Sequence, residues 1–395
     1  MTRKAFHIDV DCVQMSKDKY QVCGDAFLSR KLKDVDRTIV LLSDGLGSGI
    51  KANVLATLTA SMAVNFTLQK QSIERTSKII MSTLPVDKHR QISYATFTIA
   101  DIESNGVARI VEFENPPFQL FRQGKRLEFT QCELTIDGNQ NKGRKMHLTQ
   151  FELTLDDRIV ITSDGVTQSG IGSASMPFGY GDYNLTNFIE KAIEADPEIS
   201  AYNLANKVVK KAFANDIFKP KDDISCAVIH FRKPRKMLIC SGPPYDEAKD
   251  KTLAAMIATF QGKKVICGGT TSQIVARELQ KEIEISLNLD SSGLPPASKM
   301  EGIDLVTEGI LTIGKVADLL EKNNNIQSIG VGPAADIFKM LMISDEINLI
   351  VGTKINVAHQ DPSLPEELEI RRNVVRKIAK LLEEKFLKEV HIQFI

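Results

Sequence analysis

Hydrophobic positions along this chain follow two rhythms, and the change between them falls near residue 234. In the first stretch, short apolar runs and alternations dominate. Thr38-Ile39-Val40-Leu41-Leu42 is an uninterrupted apolar run closed by Ser43-Asp44-Gly45, which predicts a buried strand ended by a turn. Helical spacing follows over Ile50–Leu68 and again over Ile73–Leu84. Ile92–Ile99 and Val107–Phe113 are strand-like and are joined by Glu103-Ser104-Asn105-Gly106, whose Asn-Gly pair predicts a hairpin. Strands are further predicted at Phe118–Arg122, Arg126–Thr130, His147–Leu155 and Arg158–Thr162, helices at Leu185–Ala195 and Ser200–Ala214, and a last strand at Ile224–Phe231. Hairpin-linked strands with grouped helices imply an α+β domain of antiparallel sheets covered by helices.

Beyond Arg232-Lys233-Pro234-Arg235-Lys236 the pattern alternates strand and helix. Strands are predicted at Met237–Cys240, Lys264–Cys267, Ile303–Val306, Ile347–Val351 and His391–Phe394. Helices are predicted at Glu247–Gln261, Thr271–Lys281, Leu311–Glu321, Ala334–Met342 and Pro365–Phe386. Such βαβ alternation implies a smaller α/β domain with a mostly parallel sheet. The basic, proline-bearing run is the natural linker, which divides the chain into residues 1–233 and 234–395. No period of roughly 20–50 residues repeats, so a solenoid is not expected.

Composition narrows the classes without choosing a function. With 395 residues, 43% of them apolar and 25% charged, the chain reads as an ordinary globular protein. Fifty basic residues balance fifty acidic ones, so nothing in the totals pulls towards nucleic acid or an anionic membrane. A local basic groove stays open. The six cysteines form no CxxC pair, no secretory leader pattern is present and no apolar stretch approaches bilayer length. These features predict reduced thiols and a cytoplasmic location.

Four short segments of the first half carry aspartate at a strand end or turn. They are Cys23-Gly24-Asp25-Ala26-Phe27, Leu42-Ser43-Asp44-Gly45-Leu46-Gly47-Ser48-Gly49, Ile161-Thr162-Ser163-Asp164-Gly165-Val166 and Lys221-Asp222-Asp223-Ile224-Ser225. Taken singly, each Asp-Gly pair is turn chemistry. As a set they predict converging carboxylates, and convergence needs a counter-charge. Two carboxylates about 4 Å apart repel by about 4 kcal/mol at an effective dielectric near 20. Hard oxygen donors point to a divalent cation such as Mg²⁺ or Mn²⁺. The six histidines all lie outside these segments, which disfavours zinc.

The ordered set Gly-Asp, Ser-Asp-Gly-Leu-Gly-Ser-Gly, Ser-Asp-Gly, Asp-Asp-Ile-Ser resembles the metal-dependent (PPM, or protein phosphatase 2C-like) serine/threonine phosphatases. Within them it resembles the branch of the stage II sporulation protein E phosphatase domain. Glu114-Asn115-Pro116-Pro117 is similar to that branch's mid-domain turn, and the resemblance covers roughly residues 5–231. It implies a β-sandwich flanked by helices, with two divalent cations, Mn²⁺ or Mg²⁺, at one edge. By position Asp44 would bridge both ions and the Gly45 carbonyl would ligate one. Asp25 resembles the upstream acidic ligand, and Asp164 and Asp222 the later ones. Asp223 stands where many relatives carry Asn, which makes it auxiliary. The implied chemistry is attack of a metal-activated water on phosphoserine or phosphothreonine, with Asp44 and Asp164 acting through that water and no protein nucleophile.

The implied partner is a phosphoprotein, in this branch often a bacterial regulator of the anti-sigma-factor-antagonist type. Leu46 occupies the place where many relatives carry a proton-donating His. Arg3, Lys4 and Arg90 are the basic candidates for gripping phosphate. Cys23 and Cys226 flank two of the ligands and are read as small buried apolar side chains. In the second half, Gly268-Gly269-Thr270-Thr271 follows a strand and opens a helix, a geometry that suits either an anion or a plain capped turn. It is the candidate site for a small ligand there. Two alternatives stay open at this stage. One is a phosphatase fold used as a catalytically weak or inactive sensor, and the other a phosphatase of a small phosphorylated metabolite.

Overall fold

Ile39, Val40, Leu41 and Leu42 are all buried, because the strand that carries them lies between two apolar layers. Ile39 and Leu41 face a helix on one side. Val40 and Leu42 face a second sheet on the other. A strand covered on both faces has no polar side to show, hence the unbroken run. In the computed structural model, Met1–Lys233 and Pro234–Ile395 form two compact units. The structure describes residues 6–32, 37–68, 75, 78–80, 95–103, 105–135, 145–285, 293–322, 329–354, 364–386 and 388–395.

In the first unit the strands are β1 (His7–Met15), β2 (Ala26–Leu32), β3 (Arg37–Gly45), β4 (Ala95–Glu103), β5 (Val107–Phe113), β6 (Gln119–Arg122), β7 (Lys125–Leu127), β8 (Cys132–Thr135), β9 (Lys145–Glu152), β10 (Asp157–Thr162) and β11 (Ile224–Arg232). They build two antiparallel sheets, ordered β1-β11-β10-β6-β7 and β2-β3-β4-β5-β9-β8. Between the sheets lie Val40, Leu42, Ala100, Ile110, Ile159 and Ile229. Helix α1 (Ile50–Leu68) covers the outer face of the second sheet. A single turn of helix, α2 (Asp164–Thr167), follows β10, and α3 (Gly181–Ala195) and α4 (Ala201–Asn215) cover the outer face of the first sheet. Ala52, Ala56, Ala60 and Val64 form the buried stripe of α1, and their small size brings that helix close to the sheet.

This is a β-sandwich flanked by helices, the α+β class expected from the sequence. The half-exposed strands β1 and β2 lack a continuous apolar run, and the sequence reading assigned neither. Strand β7 ends at Leu127, earlier than the predicted Thr130, and pairs only with β6. The helix predicted over Ile73–Leu84 falls mostly outside the described residues.

The second unit holds β12 (Lys236–Ser241), β13 (Lys263–Cys267), β14 (Ile283–Ile285), β15 (Ser298–Met300), β16 (Ile303–Thr307), β17 (Glu346–Val351) and β18 (Glu389–Phe394). Its sheet order is β14-β15-β16-β13-β12-β17-β18, with β16, β13, β12, β17 and β18 parallel and an antiparallel β14–β15 edge. Helices α5 (Asp250–Thr259) and α6 (Gly269–Leu279) cover one face. Helices α7 (Ile310–Lys322), α8 (Pro333–Ile343) and α9 (Leu364–Glu384) cover the other. Two-sided burial explains apolar strands such as Ile347–Val351.

Candidate active site

The register of the two sheets decides which aspartates meet. Ala26 pairs with Ser43 across β2 and β3, so continuing the ladder by one residue sets Asp25 opposite Asp44. Thr162 pairs with Cys226 across β10 and β11, and the Ser163 N–H donates to the Ser225 carbonyl at 3.0 Å. Asp164, Asp222 and Asp223 therefore gather at the same end of the other sheet. The two groups are joined across the sandwich, since the Ser225 hydroxyl donates to Asp25 Oδ2 at 2.5 Å. Asp44 and Asp164 come close enough for each to shift the proton affinity of the other.

Close backbone approach makes the gathering feasible. A Cβ on Gly45 would lie 2.1 Å from the Ala52 carbonyl oxygen of α1, and one on Gly165 would lie 2.1 Å from the Asp223 carbonyl oxygen. At Gly24 the corresponding atom would meet Asp223 Oδ2 at 2.7 Å. Three of the four Asp segments thus carry a glycine because another chain segment passes where a side chain would be. Asn53 of α1 ties the helix to the loop before β2, donating to the Cys23 carbonyl at 2.9 Å.

Burial raises the affinity of Asp25, Asp44, Asp164 and Asp222 for protons. Asp44 is pushed far above the usual carboxylate range, first by burial and then by Asp25, Asp164 and Asp222. Asp25, only 2% exposed, is pushed up by burial although Ser225 and Ser163 oppose the shift. Burial also raises Asp164 and Asp222, with Lys17 opposing the rise in both. Among the described residues Lys17 is the one cation paired with the cluster, its Nζ 3.7 Å from Asp222 Oδ1. Five carboxyl groups facing one ammonium leave a deficit of positive charge.

A divalent cation fits that deficit. The donors are all hard oxygens, and Asp25 Oδ1 is buried without a hydrogen-bond partner. Among the described residues no three acidic, imidazole or thiol groups yet enclose a common point.

Two further groups serve the cluster and carried little signal in the chain. Lys17 lies in a polar stretch, and its main-chain N–H also donates to Asp223 Oδ1 at 2.9 Å. Gln168, one turn after Asp164, donates to Asp164 Oδ2 at 2.9 Å. Ser225 stood within Asp-Asp-Ile-Ser, but its hydrogen bond to a residue 200 positions away did not. Cys226 is the small buried side chain the sequence suggested, whereas Cys23 is only half-buried, with its Sγ 3.9 Å from the Ser225 hydroxyl. Burial pushes Cys23 up to about 12, and Cys226, fully buried, is pushed higher still. Arg3, Lys4 and Arg90 lie outside the described residues.

The turn Glu114-Asn115-Pro116-Pro117 braces the strand beside Asp44. Asp44 pairs with Thr96 in the ladder, and the Thr96 hydroxyl donates to Asn115 Oδ1 at 2.5 Å while Asn115 Nδ2 donates to the Thr98 hydroxyl at 3.1 Å. Glu112, 3% exposed, closes the turn by accepting the Phe118 N–H at 2.6 Å. Burial pushes Glu112 from 4.5 up to about 7 against that bond and a second one from Gln131. A raised folded-state value gives stability that is complete below the unfolded value and lost as pH rises through the folded one. Glu112 should therefore withdraw about 3 kcal/mol between about pH 4.5 and about pH 7. Glu112→Gln keeps an acceptor for Phe118, and it is expected to flatten the fall in melting temperature over that window. Parallel pH profiles for the two proteins would refute the assignment.

In the second unit, Gly268-Gly269-Thr270-Thr271 stands at the carboxyl end of β13 and opens α6, as its spacing suggested. Gly268 has φ 128° and no side chain caps the helix. Thr271 is 1% exposed and its hydroxyl has no hydrogen-bond partner.

Residues 34–232, half of the chain, match the family model described as stage II sporulation protein E. No curated protein sequence matches the chain. Among solved structures it is similar to the PP2C phosphatase domain with a fragment of the regulatory domain of the cell fate determinant SpoIIE from Bacillus subtilis. That match has 17% identity and a TM-score of 0.48, covering 58% of this chain and 65% of that one. RsbX in complex with magnesium matches at 18% identity and a TM-score of 0.41, over 57% of this chain and 96% of that one. A serine/threonine phosphatase from S. agalactiae matches at 12% and 0.40, over 56% and 99%.

Proposed function

The chain belongs to the stage II sporulation protein E family, and from that premise we propose that its first unit is a metal-dependent protein phosphatase acting on phosphoserine and phosphothreonine. The observation that carries the reading is the gathering of Asp25, Asp44, Asp164 and Asp222 at one edge of the sandwich with a single paired cation among the described residues.

Asp44, which the other carboxyls face, would hold the divalent cations, Mn²⁺ or Mg²⁺. Gly45 would contribute its carbonyl, Asp25, Asp164 and Asp222 would complete the donor set, and Asp223 supports it from behind. The cations would lower the pKa of water and offset charge on the phosphoryl group during an in-line displacement.

The chain's own residues supply position and charge. Ser225 holds one oxygen of Asp25 and leaves the other for a ligand. Asp223, 4% exposed, accepts the Lys17 N–H and so fixes the loop after β1 over the site. Lys17 Nζ stands beside Asp222, where it suits an incoming phosphoryl oxygen. Leu46 carries no exchangeable proton, so the leaving alkoxide takes its proton from water. Without such help, phosphate-monoester hydrolysis is among the slowest of biological reactions, and charge stabilisation is the main requirement.

The proposed substrate is a phosphoprotein, of the anti-sigma-factor-antagonist type in this branch. No helix among the described residues is long and apolar enough to cross a membrane, in keeping with the proposed cytoplasmic location. Hydrolysis of p-nitrophenyl phosphate and of a phosphoserine peptide, with Mn²⁺, with Mg²⁺ and with chelator, tests the reading. Turnover present with metal and lost with chelator is the expected outcome. Metal binding by calorimetry without turnover would favour a sensor. Absence of metal binding would overturn the site altogether.

A further inference from the structure

Beside the carboxylate cluster a cleft of about 650 Å³ opens between the loop after β1 and the turn that leads from α4 to Asp222. Lys17, Lys19, Lys219 and Lys221 line it, together with Ile217, Pro220 and two acids, Asp18 and Asp216, so lysines outnumber carboxylates there. The two walls are tied by the Asp18 N–H, which donates to the Pro220 carbonyl at 2.9 Å. The acid on the α4 side is already committed. Asp216, 6% exposed, accepts the Gly170 N–H at 2.7 Å and the Lys221 N–H at 3.0 Å. Lys17 pairs with Asp222, and Lys221 donates to the Ile171 carbonyl. No described carboxylate pairs with Lys19 or Lys219. A chain of zero net charge thus carries a local excess of lysine next to its proposed catalytic edge.

The turn itself is strained. Ile217 and Phe218 sit at φ 55° and 60°, consecutive left-handed positions that bulky and β-branched residues rarely adopt. The Phe218 N–H donates to the Phe213 carbonyl at 2.9 Å, the Lys219 N–H to the Asp216 carbonyl at 3.1 Å, and the Phe213 and Phe218 rings meet at 5.3 Å. These bonds hold a conformation that leaves Ile217 76% and Phe218 66% exposed. Apolar side chains held outward at a conformational cost, beside lysines of which Lys19 and Lys219 pair with no described carboxylate, make an amphipathic surface suited to a peptide.

We propose that this cleft is a docking groove for an acidic segment of the phosphoprotein substrate, a few residues along the chain from the phosphorylated side chain. The inference rests on the phosphatase reading and deepens it. Lys17 belongs to both places, since its N–H holds Asp223 while its ammonium faces the cleft and Asp222. An extended peptide advances about 3.3 Å per residue, so acidic side chains two to four positions from a phosphoserine at the cluster reach the lysines. Their charge speeds encounter and selects partners.

The test uses the full chain and the double variant Lys19→Glu/Lys219→Glu. The substrates are p-nitrophenyl phosphate and two phosphoserine peptides identical except that one carries glutamates and the other glutamines beside the phosphoserine. The wild-type protein should favour the acidic peptide by about tenfold in kcat/KM at low salt, and the advantage should shrink as salt rises. The variant should lose that preference and hydrolyse p-nitrophenyl phosphate at an unchanged rate. Equal kcat/KM on both peptides in the wild type, or a preference retained by the variant, would overturn the groove.

Fluorescence anisotropy of the two peptides without turnover separates the two claims. Loss of all hydrolysis with intact, Lys19- and Lys219-dependent binding of the acidic peptide would sink the phosphatase reading and keep the groove. Equal binding by both proteins would sink the groove alone.

Discussion

Asp44→Asn is expected to lower phosphatase turnover by about 10³-fold or more and, in chelator, to raise the melting temperature of the protein. The two effects have one cause. In the metal-free protein the Asp44 carboxyl is buried and faces Asp25, Asp164 and Asp222, so ionisation is opposed and its proton affinity is raised. A group raised in this way costs stability progressively as pH climbs from its unfolded value towards its raised folded one, so at neutral pH much of that cost is already present. The substitution removes it. The new amide brings N–H donors beside Asp164 in place of a like charge. A gain of about 1–3 kcal/mol is expected, or a few degrees in the melting of the first unit.

Added Mn²⁺ should then reverse the ranking. On the proposed assignment the wild-type protein would gain stability by binding the ion in its folded state, and the variant, without the carboxylate assigned to hold it, would not. A variant that keeps its turnover, or that melts lower in chelator and responds normally to Mn²⁺, would remove Asp44 from the role assigned to it. Stability lost to a residue that activity requires is a common mark of a functional site.

Gly45→Ala should have the largest effect on folding. No unusual backbone angle is needed at this position, so the cost is one of space. The new methyl would stand 2.1 Å from the Ala52 carbonyl oxygen, and neither partner has a flexible side chain to move aside. Helix α1 must lift from the end of β3, and its buried stripe of Ala52, Ala56, Ala60 and Val64 loses contact with the sheet. We expect a loss above about 3 kcal/mol, seen as little soluble protein or a melting transition lower by 10 °C or so.

Gly47→Ala provides the contrast. Nothing lies within 4 Å of its Cβ position, yet its φ is 107°, so the cost is conformational and near 1 kcal/mol. Equal losses for the two variants, by thermal denaturation, would mean that α1 approaches β3 less closely than described.

Several features of this molecule are legible in the chain because they depend on neighbours in sequence. The run Ile39–Leu42 requires cover on both faces, and the Asn105-Gly106 pair belongs to a tight connection between β4 and β5. The alternation of the second half predicts a parallel sheet, and β12, β13, β16, β17 and β18 form one. Strands β1 and β2 escaped notice because their half-exposed pattern resembles that of a loop. The short antiparallel edge β14–β15 left no periodic signal in so few residues.

The site divides in the same way. Sequence alone picked out the four aspartate segments and the suitability of hard oxygen donors without histidine for Mn²⁺ or Mg²⁺, but the two Asp-Gly pairs it read as turns close strand β3 and open helix α2 instead. Tertiary structure decided the rest. The bond from Ser225 to Asp25, the meeting of Lys17 with Asp222 and Asp223, and the mutual approach of Asp44 and Asp164 depend on the stacking of two sheets. The lysine cleft likewise joins residues 17–19 to residues 216–221. Local spacing carries no information about such pairs. Burial and register, set by the packed whole, determine how strongly these charges act on one another.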